Sequence, residues 1–86
     1  MGKLSLKRVV LDILKPLEPS LIEFAKIVGK CKGIKQVNLV VSEMDRKTET
    51  IKAVIIGNGI NFEKLRKTIE EAGGVIHSID EVLIER

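Results

Sequence analysis

Residues 9–41 read VVLDILKPLEPSLIEFAKIVGKCKGIKQVNLVV, and residues 51–84 repeat the plan as IKAVIIGNGINFEKLRKTIEEAGGVIHSIDEVLI. Each segment is an apolar run, an amphipathic stretch closed by glycine, and a second apolar run. Val9, Leu11 and Ile13 alternate with Val10, Asp12 and Leu14, which predicts a strand over Val9 to Leu14. Lys15-Pro16-Leu17-Glu18-Pro19 then breaks it. Pro19 suits a first helical turn, and Ser20 with Glu23 has the spacing of a capping box. Leu21, Phe24, Ala25, Val28 and Cys31 recur at helical spacing, and Gly33 ends that segment. A strand from Ile34 sets Val37, Leu39 and Val41 on one face and Asn38, Val40 and Ser42 on the other.

The second pass follows the same logic. Met44 to Glu49 is a polar hairpin turn, Ile51, Ala53 and Ile55 continue into a strand, and Gly57-Asn58-Gly59 stops it. Asn61 is the expected N-cap of a helix whose buried stripe is Phe62, Leu65, Ile69 and Ala72. Gly73-Gly74 closes the helix, and Val75 to Glu85 is the last strand. Two strand–helix–strand units make an α+β, ferredoxin-like βαββαβ sandwich: a four-stranded antiparallel sheet of order 4-1-3-2 with two helices on one face.

The chain has 86 residues, which predicts a single domain over residues 1–86 with one small core. Trp and Tyr are absent and only Phe24 and Phe62 are aromatic, so that core must be aliphatic. The net charge of +3 is spread without a basic block, and both phenylalanines lie in helical stripes. An RNA-recognition domain of this topology stacks bases on aromatics of its open sheet face. Here that face carries aliphatics with Asp12 and Asp80, which repel phosphate, so nucleic acid is not an expected partner. The single Cys31 excludes an internal disulfide, a Cys-rich zinc site and a Cys-x-x-Cys carrier, and it suits a reducing cytosol. No signal peptide or membrane span is expected, because the apolar runs are short; the expected location is cytoplasmic.

The repeat also predicts facing. Asp12, Asn38 and Asp80 should point away from the helices, together with Val10, Leu14, Val40, Val54, Ile56, Val82 and Ile84. Strands apolar on both faces usually have both faces covered. With no third layer in the chain, the expected cover is a second copy, in a homo-oligomer formed through the open sheet face or the edge strands.

Few residues carry chemistry. Catalysis by a nucleophile needs a base beside it. Cys31 lies on an apolar helical line, and His77 and Ser78, adjacent on a strand, point to opposite faces, so no dyad forms and an enzyme is not the expected reading. Gly57-Asn58-Gly59 opens the second helix but lacks the Walker lysine and the third glycine of a dinucleotide fingerprint, so turn and cap is its reading. Hard oxygen ligands remain. Asp12, Ser78 and Asp80 on neighbouring strands, with Glu43 and Asp45 at the hairpin, have the chemistry of a calcium or magnesium site completed by water or a second subunit. The other reading pairs Asp12 with a lysine and leaves the hairpin acids in water.

The stretches Leu11 to Pro16, Val37 to Asp45 and Gly73 to Val82, above all His77-Ser78-Ile79-Asp80-Glu81-Val82, resemble a family of small archaeal proteins, domain of unknown function family 211. The resemblance covers nearly the whole chain. It implies a cytosolic archaeal protein of ferredoxin-like fold, assembled into a ring-like homo-oligomer, without an assigned activity. The polar positions it matches include Asp12, Asn38, Glu43, Asp45, His77, Ser78 and Asp80. A looser likeness to small-molecule-sensing ACT modules places a ligand near the loop Lys15 to Pro19, although the Pro-Gly turn of those modules is missing. Together these readings predict a non-enzymatic homo-oligomeric binding protein holding a divalent cation or a small anionic metabolite at a subunit interface. Asp12, Ser78, Asp80, Glu43 and Asp45 would serve the cation, and Lys15, Asn38 and His77 the ligand. The alternative is a scaffold whose oligomer docks another protein.

Overall fold

The computed structural model describes residues 2–86. Its order is β1 (Ser5–Pro16), α1 (Leu21–Gly29), β2 (Ile34–Met44), β3 (Thr48–Gly57), α2 (Phe62–Glu71) and β4 (Val75–Glu85). All pairings are antiparallel and the sheet order is β2-β3-β1-β4, the expected 4-1-3-2 read from the other edge.

Both helices begin where the sequence places their caps. The Ser20 hydroxyl accepts the Glu23 amide at 3.2 Å, and the Asn61 side-chain oxygen accepts the Lys64 amide at 3.1 Å. Each cap satisfies an amide that the first turn would otherwise leave without a partner. Pro19 precedes the cap rather than entering the first turn, and it follows a cis peptide bond after Glu18. α1 stops at Gly29, and Cys31, expected on the helical line, falls in the turn beyond it. There its thiol donates to the Thr68 hydroxyl at 3.2 Å.

The inner face of the sheet is written in rows. From β2 to β4, opposed residues run Val41–Ile51–Ile13–Ile76, Leu39–Ala53–Leu11–Ile79 and Val37–Ile55–Val9–Val82. The middle strands of these rows are fully or nearly fully buried against Phe24, Val28, Leu65 and Ile69. Directly opposed side chains share a face, so Val82 stands on the helix side with Val9, and Ile84, opposite Leu6, stands with it. Both were expected on the open face. The register of β4 carries two shifts. Asp12 faces Ser78 while Ile13 faces Ile76, which makes His77 an extra residue; Leu11 faces Ile79 while Val10 faces Glu81, which makes Asp80 another. Each bulge inverts the alternation, so only the stretch between them puts its even-numbered residue, Ser78, outward, and beyond Asp80 the facing set by Ile76 returns with Val82 and Ile84 inward.

Strands run longer than alternation predicts. β1 continues through Lys15 and Pro16, and the hairpin between β2 and β3 tightens to three residues, with the Asp45 amide donating to the Thr48 carbonyl at 2.8 Å. The molecule is correspondingly elongated, 50 × 21 × 17 Å.

Candidate functional site

Among the described residues, no helix or strand covers the outer face of the sheet. Its rows are mixed. Glu43–Thr50–Leu14–Val75 lies at the hairpin end, then Val40–Lys52–Asp12–Ser78, then Asn38–Val54–Val10–Glu81, then Gln36–Ile56–Arg8–Leu83. The second row carries the polar cluster.

Asp12 and Lys52 oppose one another across β1 and β3, and Ser78 opposes Asp12 on β4. The bulge at Asp80 turns its carboxylate back toward the same point. The Lys52 ammonium stands 2.9 Å from Asp12 Oδ1 and 2.5 Å from Asp80 Oδ2. Ser78 Oγ lies 3.3 Å from Asp12 Oδ2 and 2.9 Å from Asp80 Oδ1. The four carboxylate oxygens thus each have one neighbour inside the cluster. With both acids ionised the group carries two negative charges against one positive. The Lys52 hydrogen bond, then that of Ser78, holds the Asp80 carboxyl below the usual carboxylate range. The hydrogen bonds to Asp80 and Asp12, in that order, hold the Lys52 ammonium above its usual range.

The structure therefore brings Asp12, Ser78 and Asp80 together and supplies Lys52 as the lysine that the other reading pairs with Asp12 without naming its position. Its signal was present: with Ile51, Ala53 and Ile55 facing the core, Lys52 must face out with Asp12. Glu43 and Asp45 are apart from this cluster, lining a depression of about 280 Å³ with Leu14, Met44, Thr48 and Thr50. Among the described residues, no three His, Cys, Asp or Glu side chains come together in a metal-holding group. Asn38 faces outward beside Val54, and His77 is exposed at its bulge.

Lys15 departs from its expected role. Its side chain is fully enclosed on the helix side, with Nζ 2.8 Å from Glu49 Oε1, 2.7 Å from the Pro16 carbonyl and 3.3 Å from the Leu17 carbonyl, over the Phe24 ring. An ammonium has three protons, and all three are used, so Lys15 is no contact for an outside anion. At the other end of the sheet, Asn61 caps α2 and Asn58 accepts from Lys7 at 2.6 Å, so Gly57 to Asn61 works as turn and cap. No helix among the described residues is long and apolar enough to cross a membrane.

A family model, DUF211, described as uncharacterized ArCR, matches residues 7–86. An uncharacterized protein of Methanocaldococcus jannaschii is 45% identical over 78 residues, covering 91% of this chain and 80% of that protein.

Proposed function

Since the chain belongs to the archaeal DUF211 family, we propose that this member is a non-enzymatic, homo-oligomeric binding protein whose sheet supplies the interface and whose Asp12, Ser78 and Asp80 oxygens hold a divalent cation there, the Lys52 ammonium swinging away to admit it. The observation that carries this reading is the position of an acid-rich cluster in the middle of an uncovered, partly aliphatic sheet face. Covering that face with a second copy removes apolar surface from water, which favours association. It also takes a net negative group out of water, which opposes association unless a cation compensates. Calcium or magnesium, bound by carboxylate oxygens and shared with water or the second copy, supplies that compensation. With Lys15 enclosed, the anionic-metabolite half of the expectation keeps Asn38 and His77 but has lost its one lysine, and the cation half is the one we retain.

Calorimetric titration of the full chain with calcium and with magnesium tests this. Saturable heat that disappears in Asp80→Ala and in Asp12→Ala is expected. Absence of saturable heat with either ion rejects the cation.

A second reading has its own observation. The internal neighbour at every carboxylate oxygen suits a cluster that is complete without a ligand, in a scaffold whose assembly docks another protein. Thermal-shift measurements separate the two, because a ligand bound only by the folded state raises the melting temperature.

A further inference from the structure

The two helices differ in how much apolar surface they carry. Six of the ten residues of α2 are charged, whereas only Glu23 and Lys26 are charged among the nine of α1. A helix lying on a sheet needs one apolar stripe, and apolar surface beyond that stripe needs a second cover. Phe24 and Val28 carry the first stripe and are fully buried. Ile22, Ala25, Lys26 and Gly29 recur at the three- and four-residue steps of a second line. That line forms one wall of a groove of about 330 Å³, and Ile34, Lys35, Gln36 and Val37 at the start of β2 form the other. Ile22 is 70% exposed there. At Gly29 the wall has no side chain, and a Cβ would stand 3.8 Å from Val37 Cγ2, in ordinary contact.

The charge of the groove has one sign. Lys26 and Lys35 line it and no carboxylate does. Among the described residues, neither lysine makes an ion pair. The register between β2 and β3 passes from Ile34 to Gln36, so Lys35 is an extra residue on an edge strand. A bulge carrying a lysine blunts edge pairing, so a further strand of the sheet is not the occupant that this groove fits. We propose that the groove between α1 and β2 docks an acidic segment of another protein, whose aliphatic side chains fill it and whose carboxylates meet Lys26 and Lys35. Apolar contact alone would accept any greasy segment; two ammonium groups without partners select an acidic one. The groove lies beside α1, on the side of the sheet away from Asp12, so its occupant leaves the outer face free. The proposal rests on the scaffold reading above and names its docking surface.

Selection from a random-peptide library displayed on phage tests it, with the full wild-type chain as target and Ile22→Asp as counter-target. Enriched sequences should combine aliphatic residues with aspartate or glutamate. In fluorescence polarisation, a synthetic peptide of the enriched sequence should lose its binding to Ile22→Asp and bind Lys26→Glu/Lys35→Glu about tenfold more weakly. Its affinity for the wild-type chain should fall with added salt. Gly29→Leu fills the groove without changing charge, and it should block the peptide while the melting temperature stays at or above that of wild type. Enrichment of basic sequences, no enrichment over the counter-target, or equal affinity for Gly29→Leu and wild type overturns the groove. A fall in the sedimenting mass of Ile22→Asp without peptide gives the groove to a second copy and overturns it too. Sedimentation of the wild-type chain decides the scaffold reading separately: a monomer at every concentration rejects the scaffold, while peptide binding still decides the groove.

Discussion

At the scale of single residues the fold departs most from what its letters suggest at Lys15. A lysine between Leu14 and Pro16 reads as the start of a loop. The strand instead runs on through Pro16, and alternation then assigns Lys15 to the face of Val9, Leu11 and Ile13. Glu49, its opposite number on β3, is there to meet it. Removing one member of such a pair leaves an uncompensated buried charge, at a cost of about 3–5 kcal/mol. Lys15→Met should therefore lower the urea midpoint sharply. Lys15→Met/Glu49→Leu should recover the larger part of that loss, with the remainder reporting the Pro16 and Leu17 carbonyls. The cluster on the outer face predicts a different signature. Asp80 has a lowered pKa in the folded chain, so its contribution is complete above the unfolded value of about 4 and is lost as pH falls through the folded one. Lys52 has a raised pKa, so its contribution is complete below the unfolded value of about 10.4 and is lost as pH rises through the folded one. Urea midpoints followed against pH should show a shallower acid-side decline in Asp80→Asn and a shallower alkaline-side decline in Lys52→Met.

At the scale of elements, capping and turn chemistry were legible because they are local. Ser20 and Asn61 cap the helices they were expected to cap, and the polar stretch after Met44 turns the hairpin. Gly57 shows why one of those signals is strict. A Cβ there would stand 1.9 Å from the Gly33 carbonyl oxygen, which accepts the Asn58 amide at 2.7 Å. Two backbones meet at that point and neither can yield cheaply. Gly57→Ala should cost about 1–3 kcal/mol, the range for overpacking, measured as a lowered denaturation midpoint with native circular dichroism. What could not be read locally is the facing of β4. Val75 to Glu85 carries apolar residues at both parities, so its alternation is ambiguous, and only pairing with β1 fixes which residues are extra. The bulges at His77 and Asp80 turn only the stretch between them, so Ser78 faces outward while Val82 stays inward like Ile76, and they bring Asp80 back onto Lys52. The candidate site was therefore legible as Asp12, Ser78 and Asp80 across two strands. Its closure by Lys52 depended on the register of a third strand.

At the scale of the whole molecule, two surfaces compete to explain assembly. The open face of the sheet, with Leu14, Val40 and Val54 among its polar residues, is one such surface, and the two edge strands β2 and β4 are the other. Each aliphatic side chain moved from water into such a contact contributes roughly 1.5–3 kcal/mol, against an association cost on the order of 4–15 kcal/mol, so a few of them decide the balance. Val54 is the discriminating position. It faces away from both helices, between Asn38 and Val10, so a lysine there leaves the core intact but sets an ammonium in the middle of the face. Sedimentation of this variant resolves the architecture. Val54→Lys should lower the sedimenting mass while the circular dichroism stays native. If Val54→Lys has no effect on mass, the face is open in the assembled protein. The acid cluster then meets its ligand from solvent rather than from a second copy.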